Sequence, residues 1–197
     1  MILFVKKFIY PLKHIKNMNR KILEIVEEAI KEASQNPNII AIEVIEADSF
    51  AGYYLRLYSK EPDEYEAGVY RLEGLSDSDI EIHDEIDEMI KKAGFEWNHE
   101  LYIFIRKNAS LLDKINFIIN NYGFKEGIQS IDKMPEELQK KQIIEIVEEK
   151  EDNKGKDIVY DVGDKYILEW QTYYYPVPNA KHVFQSGYII IPKKYLI

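Results

Sequence analysis

The segment from Ser78 to Gly123 constrains the fold most. Its apolar period switches from helical to alternating and back, and each switch coincides with a residue that has a stereochemical reason to be there. Ile82, Ile86, Met89, Ile90 and Ala93 fall on one stripe and predict a helix over Asp79–Ala93. Ser78 is a candidate N-cap, Lys91 and Lys92 complement the negative end of the helix dipole, and Gly94 permits a left-handed exit. Phe95-Glu96-Trp97-Asn98 reads as a turn. In Leu101–Ile105, apolar and aromatic residues occupy both alternating sets, which predicts a strand covered on two faces. A second helix is expected over Ala109–Tyr122, capped by Asn108 and ended by Gly123. Its stripe is Leu111, Leu112, Ile115, Ile118, Ile119 and Tyr122, and Phe117 lies off it.

Upstream, Ile22, Ile25, Val26, Ala29, Ile30 and Ala33 predict a helix over Arg20–Ser34, capped by Asn19 and stopped at Pro37. Ile39–Ile45, Tyr53–Tyr58 and Tyr65–Leu72 read as strands with a turn at Glu61-Pro62-Asp63-Glu64. Their links are too short for helical crossovers, so an antiparallel meander is expected. Downstream, Pro135–Lys150 reads as a helix and Glu148–Asp157 as a charged loop. Asp157–Val162 and Lys165–Tyr173 flank a hairpin turn at Gly163-Asp164, and Val183–Ile191 is a last strand.

These elements make an α+β protein: a mixed, mainly antiparallel sheet with packed helices and a β-rich C-terminal region. The expected organisation is a basic N-terminal arm over 1–19, a core domain over 20–127, and a helix plus strands over 128–197, packed on the core.

Composition narrows the function. The net charge is −9, which opposes binding to phosphate backbones or anionic lipid. Lys6, Lys7, Lys13, Lys16 and Arg20 nevertheless leave residues 1–20 basic and free of acid. They read as an arm for an acidic partner or for the protein's own acidic body; the preferred reading is a poorly ordered terminus, or an extension before a working start at Met18. Cysteine is absent, so there is no disulfide framework, zinc-thiolate site or cysteine nucleophile. Met1–Val5 is too short for a signal-peptide core, and no run approaches the roughly 20 apolar residues of a membrane span. The expectation is an intracellular, cytoplasmic protein, with a Lys, Glu and Ile content that leans towards a thermophile.

Phosphate-loop, dinucleotide, nucleophile-elbow and zinc-protease signatures are missing, so no cofactor is expected. Asp77-Ser78-Asp79 is a D-x-D triplet of the kind that holds a divalent cation in some glycosyltransferases; at a helix start, capping is the preferred reading. Asp79, His83 and Asp87 stand in a row at four-residue spacing, where a metal would need further ligands such as His99; a hydrogen-bonded histidine is preferred, and no metal site is expected. Glu43, alone on a covered strand face, is a candidate perturbed carboxylate, with Arg56 as its candidate partner. Trp170, Tyr173, Tyr174, Tyr175, His182 and Tyr188 concentrate large rings near the C-terminus and are the candidate binding residues.

Two resemblances accompany this reading. The element order over 20–127, ending in Tyr122-Gly123-Phe124-Lys125-Glu126-Gly127, resembles the GNAT acyltransferases. That resemblance implies splayed parallel strands and a coenzyme A site at a glycine turn before the middle helix. Leu75–Ile82, where the turn would stand, has no glycine, so no catalytic residue is carried over. Gly94-Phe95-Glu96-Trp97-Asn98 resembles the turn of small β-α-β modules that accompany some helicase and antirestriction proteins. The leading expectation is a non-enzymatic accessory protein that binds a protein partner, or itself, through the C-terminal aromatic surface. The alternatives are a degenerate acyltransferase fold and a nucleic-acid-associated protein using residues 1–20 and the Trp97 turn.

Overall fold

A run of apolar residues at helical spacing must bury its stripe, and in this chain the first such stripe folds against a three-stranded meander. The structure, a computed structural model, describes residues 12–46, 52–60, 67–122, 129–130, 136, 145–174 and 181–196. The chain divides into two compact units, Met1–Trp97 with Tyr102–Lys107, and Asn98–Leu101 with Asn108–Ile197. The fold is α+β, with an antiparallel sheet in each unit.

The first unit holds α1 (Leu12–Gln35), β1 (Ile39–Glu46), β2 (Tyr53–Ser59), β3 (Gly68–Leu72), α2 (Ile80–Lys92), β4 (Phe95–Asn98) and β5 (Ile103–Arg106). The sheet order is β3-β2-β1-β5-β4, so the apolar β1 is central, as its two-faced burial demands. The meander forms as expected, with Val44 opposite Leu55 and Leu55 opposite Tyr70. Ile22, Val26 and Ala29 of α1 and Ile82, Ile86 and Ile90 of α2 share one core with Ile42, Leu55, Leu57 and Phe104. Each fully buried Ile or Leu there contributes about 1.5–3 kcal/mol of transfer free energy. Tyr70 of β3 donates to the Glu32 carboxylate of α1, and burial together with that bond pushes its hydroxyl up to about 12.

Several boundaries differ from expectation for local reasons. Helix α1 begins at Leu12, so Asn19 is an interior helical residue rather than a cap, and Lys13, Lys16 and Arg20 are helical. Lys6 and Lys7, and the turn at 61–64, lie outside the described residues. The end of α1 has no basic residue of its own in its last turn. Arg106 supplies the charge from β5: its guanidinium donates to the carbonyls of Ala33, Asn36 (3.0 Å) and Ile39 (2.7 Å), and lies over the Phe95 ring. At α2 the N-cap position falls on Asp79, not Ser78. Gly94 ends the helix as expected, with φ +95° and its N–H bonded to the Lys91 carbonyl at 3.1 Å. Phe95–Asn98 is strand β4 rather than a turn; the reversal follows it, where Asn98 Oδ1 accepts from the backbone of Glu100 and Leu101. The pairing of β1 with β5 is antiparallel, unlike the parallel strands that the acyltransferase resemblance implies.

The second unit holds α3 (Leu111–Asn121), β6 (Gln129–Ser130), β7 (Glu145–Glu151), β8 (Gly155–Val162), β9 (Lys165–Tyr174) and β10 (His182–Pro192), with a 3-10 turn at Lys193–Tyr195. Its sheet order is β6-β10-β9-β8-β7. The N-cap of α3 is Ser110, whose Oγ accepts from Asp113 N at 3.0 Å; Asn108 is not the cap. Leu112, Ile115 and Ile119 pack with Val159, Leu168, Ile189 and Ile191, which places α3 in this unit and the unit boundary near Lys107, upstream of residue 127. Ile158, Tyr160, Ile167 and Tyr188 form a separate buried cluster from the alternate strand positions. Glu145–Lys150 is strand, not helix or loop, because β8 supplies a ladder from Glu145 opposite Asp161 to Glu151 opposite Lys156. The Gly163-Asp164 hairpin forms as expected, with Val162 opposite Lys165 and Gly163 at φ +65°. No helix among the described residues is long and apolar enough to cross a membrane.

Candidate functional site

A two-residue hairpin fixes every pair along its arms. With Val162 opposite Lys165, Asp157 of β8 stands directly opposite Trp170 of β9, and Val159 opposite Leu168. Trp170 lies two residues beyond Leu168, hence on the face that α3 covers. There the α3 residues Asn116 and Ile119 and the strand residues Asp157, Leu168, Trp170 and Ile189 enclose a cleft of about 260 Å³. Its walls are mainly aliphatic and indole. Burial pushes the Asp157 carboxyl up from its ordinary value, the field of Lys150 pulls the other way, and no hydrogen bond reaches that carboxylate among the described residues. Gln171 and Thr172 also border it, with the Gln171 amide donating to Glu169 at 3.0 Å and the Thr172 hydroxyl to the Gln185 carbonyl at 3.3 Å.

Two residues before Asp157, β8 begins at a close backbone approach to β9. Gly155 pairs with Thr172, and a Cβ on Gly155 would lie 2.2 Å from the Gln171 carbonyl oxygen. Only glycine lets β8 begin against β9 there. Asp152 prepares the approach by accepting from Lys154 N (2.7 Å) and Gly155 N (3.0 Å), bonds that hold its carboxyl below the usual range.

Among the described residues, Trp170, Tyr173, His182 and Tyr188 do not make one surface. Trp170 is half-buried in the cleft. Tyr173 is half-buried elsewhere: its hydroxyl donates to Glu151 Oε1 at 3.0 Å, and Lys181, ion-paired to the same carboxylate, lies 3.8 Å from its ring centroid. His182 is exposed opposite Tyr174. Tyr175 and the side chain of Tyr174 lie outside the described residues. Tyr188 is only 2% exposed and belongs to the interior, so it is no surface contact. The alternation that lets β10 bury two faces turns it inward with Ile190.

The carboxylates are also redistributed. Glu43 stands opposite Arg56, as its candidate pairing requires, but it is half-buried and not alone: Tyr58 donates to its Oε2 at 2.5 Å. Burial and that bond push the Tyr58 hydroxyl up to about 12. A more buried carboxylate, Glu169, escaped sequence reasoning because it sits inside the aromatic run. It is 8% exposed and satisfied by Tyr160 Oη (2.6 Å) and Gln171 Nε2 (3.0 Å). Asp77 and Asp79 do not cap α2 with their side chains. Asp79 Oδ2 turns back to Ser76 N and Oγ, and Asp77 accepts from Tyr53 Oη at 2.5 Å. The row Asp79, His83, Asp87 is divided in the same way, since His83 Nε2 bonds the Ser76 carbonyl at 3.1 Å.

Asp157 is the residue of the cleft that went unnoticed. The signal was present, because counting back equally from Gly163-Asp164 pairs it with Trp170. No protein-family model, curated protein or solved structure matches this chain.

Proposed function

We propose that this chain is a non-enzymatic binding protein whose C-terminal unit takes one side chain of a protein partner into the Trp170–Asp157 cleft. The observation that carries the reading is the cleft itself. At about 260 Å³ it falls below the usual range for drug-sized ligands and suits a single anchoring side chain. Ile119, Leu168, Ile189 and the Trp170 ring offer contact to an apolar stem. The half-buried Asp157 carboxylate offers an acceptor at its end. The complementary anchor has an aliphatic or aromatic stem and a donor tip: arginine, lysine or tyrosine.

Titration of capped tripeptides centred on Arg, Lys, Tyr, Leu or Glu tests this, read at the assigned Trp170 indole N–H resonance in the full chain. Donor-tipped peptides are expected to bind at least tenfold better than the Leu peptide, the Glu peptide not at all, and Asp157→Asn to remove the preference. Equal response to the Glu and Arg peptides, or an indole resonance that no peptide moves, overturns the reading.

A further inference from the structure

The helix-covered face of the first sheet carries a different cleft, of about 320 Å³. Trp97 and Phe104 bring ring centroids within 4.9 Å at an interplanar angle of 59°, and Tyr53 meets His83 edge-on at 4.8 Å. All four rings line the cleft, together with the carboxylates of Asp77 and Asp87. None of its lining residues is lysine or arginine. Tyr53 and Asp77 also border a neighbouring cleft of about 450 Å³, to which Glu46 adds another carboxylate.

The two aspartates differ. Asp77 is engaged by the Tyr53 hydroxyl. Asp87 is half-buried on α2, and no hydrogen bond reaches its carboxylate among the described residues; burial raises its carboxyl, against the fields of Lys91 and His83. A half-buried carboxylate beside aromatic rings, with no lysine or arginine lining the cleft, disfavours anions. It suits a cation with an apolar surface, because ring quadrupoles attract positive charge and alkyl groups displace water from the rings.

We propose that this cleft binds a small alkylated ammonium ion, with Trp97, Phe104 and Tyr53 contacting its alkyl groups and Asp87 facing its charge. The chemistry is the same for a free quaternary amine and for a methylated lysine side chain. Steric access distinguishes the two sources.

The test uses the full chain and follows Trp97 by its indole resonance. The probes are tetramethylammonium, a capped trimethyl-lysine tripeptide, and 3,3-dimethylbutan-1-ol, a neutral probe with the same branched head. Tetramethylammonium is expected to bind about tenfold or more tightly than the neutral alcohol. Asp87→Asn should remove that advantage, while Asp84→Asn, on the exposed side of the same helix, should leave it intact. Binding of the tripeptide assigns the side-chain source, and its exclusion assigns the free amine. Equal affinity for the cation and the alcohol overturns the proposal, as does a Trp97 resonance unmoved by any probe. Far-ultraviolet dichroism of Asp87→Asn separates lost binding from lost fold. Should that variant not fold, Tyr53→Phe provides the second arm: it keeps the ring, frees the Asp77 carboxylate, and should raise the ratio of cation to alcohol affinity; an unchanged or lowered ratio overturns the proposal.

Discussion

The two units place the same pair of groups, a tryptophan and a half-buried aspartate raised by burial, on different scaffolds. In the second unit Asp157 and Trp170 are cross-strand partners, so their spacing follows from the backbone ladder. In the first unit Asp87 comes from a helix and Trp97 from a strand, and the rim is a loop held by Tyr53–Asp77 and Ser76–Asp79 side-chain bonds. A ladder is broken by disturbing the main chain. A helix-on-sheet cleft is broken by disturbing packing and single hydrogen bonds. The comparison therefore ranks perturbations as well as sites.

The largest expected effect is on the ladder. Gly155→Ala forces a Cβ to 2.2 Å from the Gln171 carbonyl, which is backbone and cannot swing away. Denaturant unfolding should show a loss of about 2–3 kcal/mol, with amide exchange rising most in β8 and β9. A loss below about 0.5 kcal/mol would mean that the strands do not meet as described.

Next is the keystone of the first unit. Arg106→Met keeps the stem over Phe95 but deletes the donors to Ala33, Asn36 and Ile39, with an expected cost of about 2–3 kcal/mol. Arg106→Lys should recover less than half, because an ammonium cannot reproduce the planar fork. Full recovery by lysine would reduce the contact to simple charge at a helix end.

A smaller effect is expected at the rim. Tyr53→Phe deletes one hydrogen bond to Asp77, at a cost of about 0.5–1.5 kcal/mol. The Tyr53 hydroxyl is raised to about 12, chiefly by that bond and then by burial. Asp77→Asn should therefore lower its titration in an ultraviolet pH scan, and an unchanged titration would show that Asp77 does not hold it.

Most of the first unit was legible because its causes are local. The stripes of α1 and α2, the Gly94 exit and the Ile39–Leu72 meander follow from spacing and turn chemistry. The failures lie where a partner decides. Glu145-Ile-Val-Glu-Glu-Lys has the composition of a helix and, exposed along nearly its whole length, shows no burial pattern; only the β8 ladder makes it a strand. Phe95–Asn98 passed for a turn because four residues between a glycine and a polar cluster look like one, and only its place at the sheet edge reveals β4. In the second cleft Trp170 was visible as an aromatic, whereas Asp157 required the hairpin register to be carried across to the neighbouring strand. Its distinctive feature, burial, comes in part from α3, which sequence order assigns to the preceding domain.

The smallest expected effects bear directly on the shared Trp–Asp pair. Burial raises the folded-state pKa of both Asp87 and Asp157 above the unfolded value. The folded chain then binds these protons more tightly than the unfolded one, so their favourable contribution is complete below the unfolded aspartate value and is lost as pH rises through the folded pKa. Wherever either is ionised in the folded chain, it is so at a cost. Asp87→Asn and Asp157→Asn should each leave stability unchanged or raise it, by under about 0.5 kcal/mol because both groups keep solvent contact. The gain should vanish below roughly pH 4, where wild-type aspartate is neutral as well. Asp152 provides the opposite sign: backbone donors lower its pKa, so its contribution is present above the unfolded value and is lost as pH falls through the folded one. Stability-against-pH curves for Asp87→Asn, Asp157→Asn and Asp152→Asn should therefore diverge from wild type in opposite directions at neutral pH. If Asp157→Asn destabilised the chain at pH 7, its carboxylate would have a donor within the protein, and the cleft would have no acceptor left for a partner's side chain.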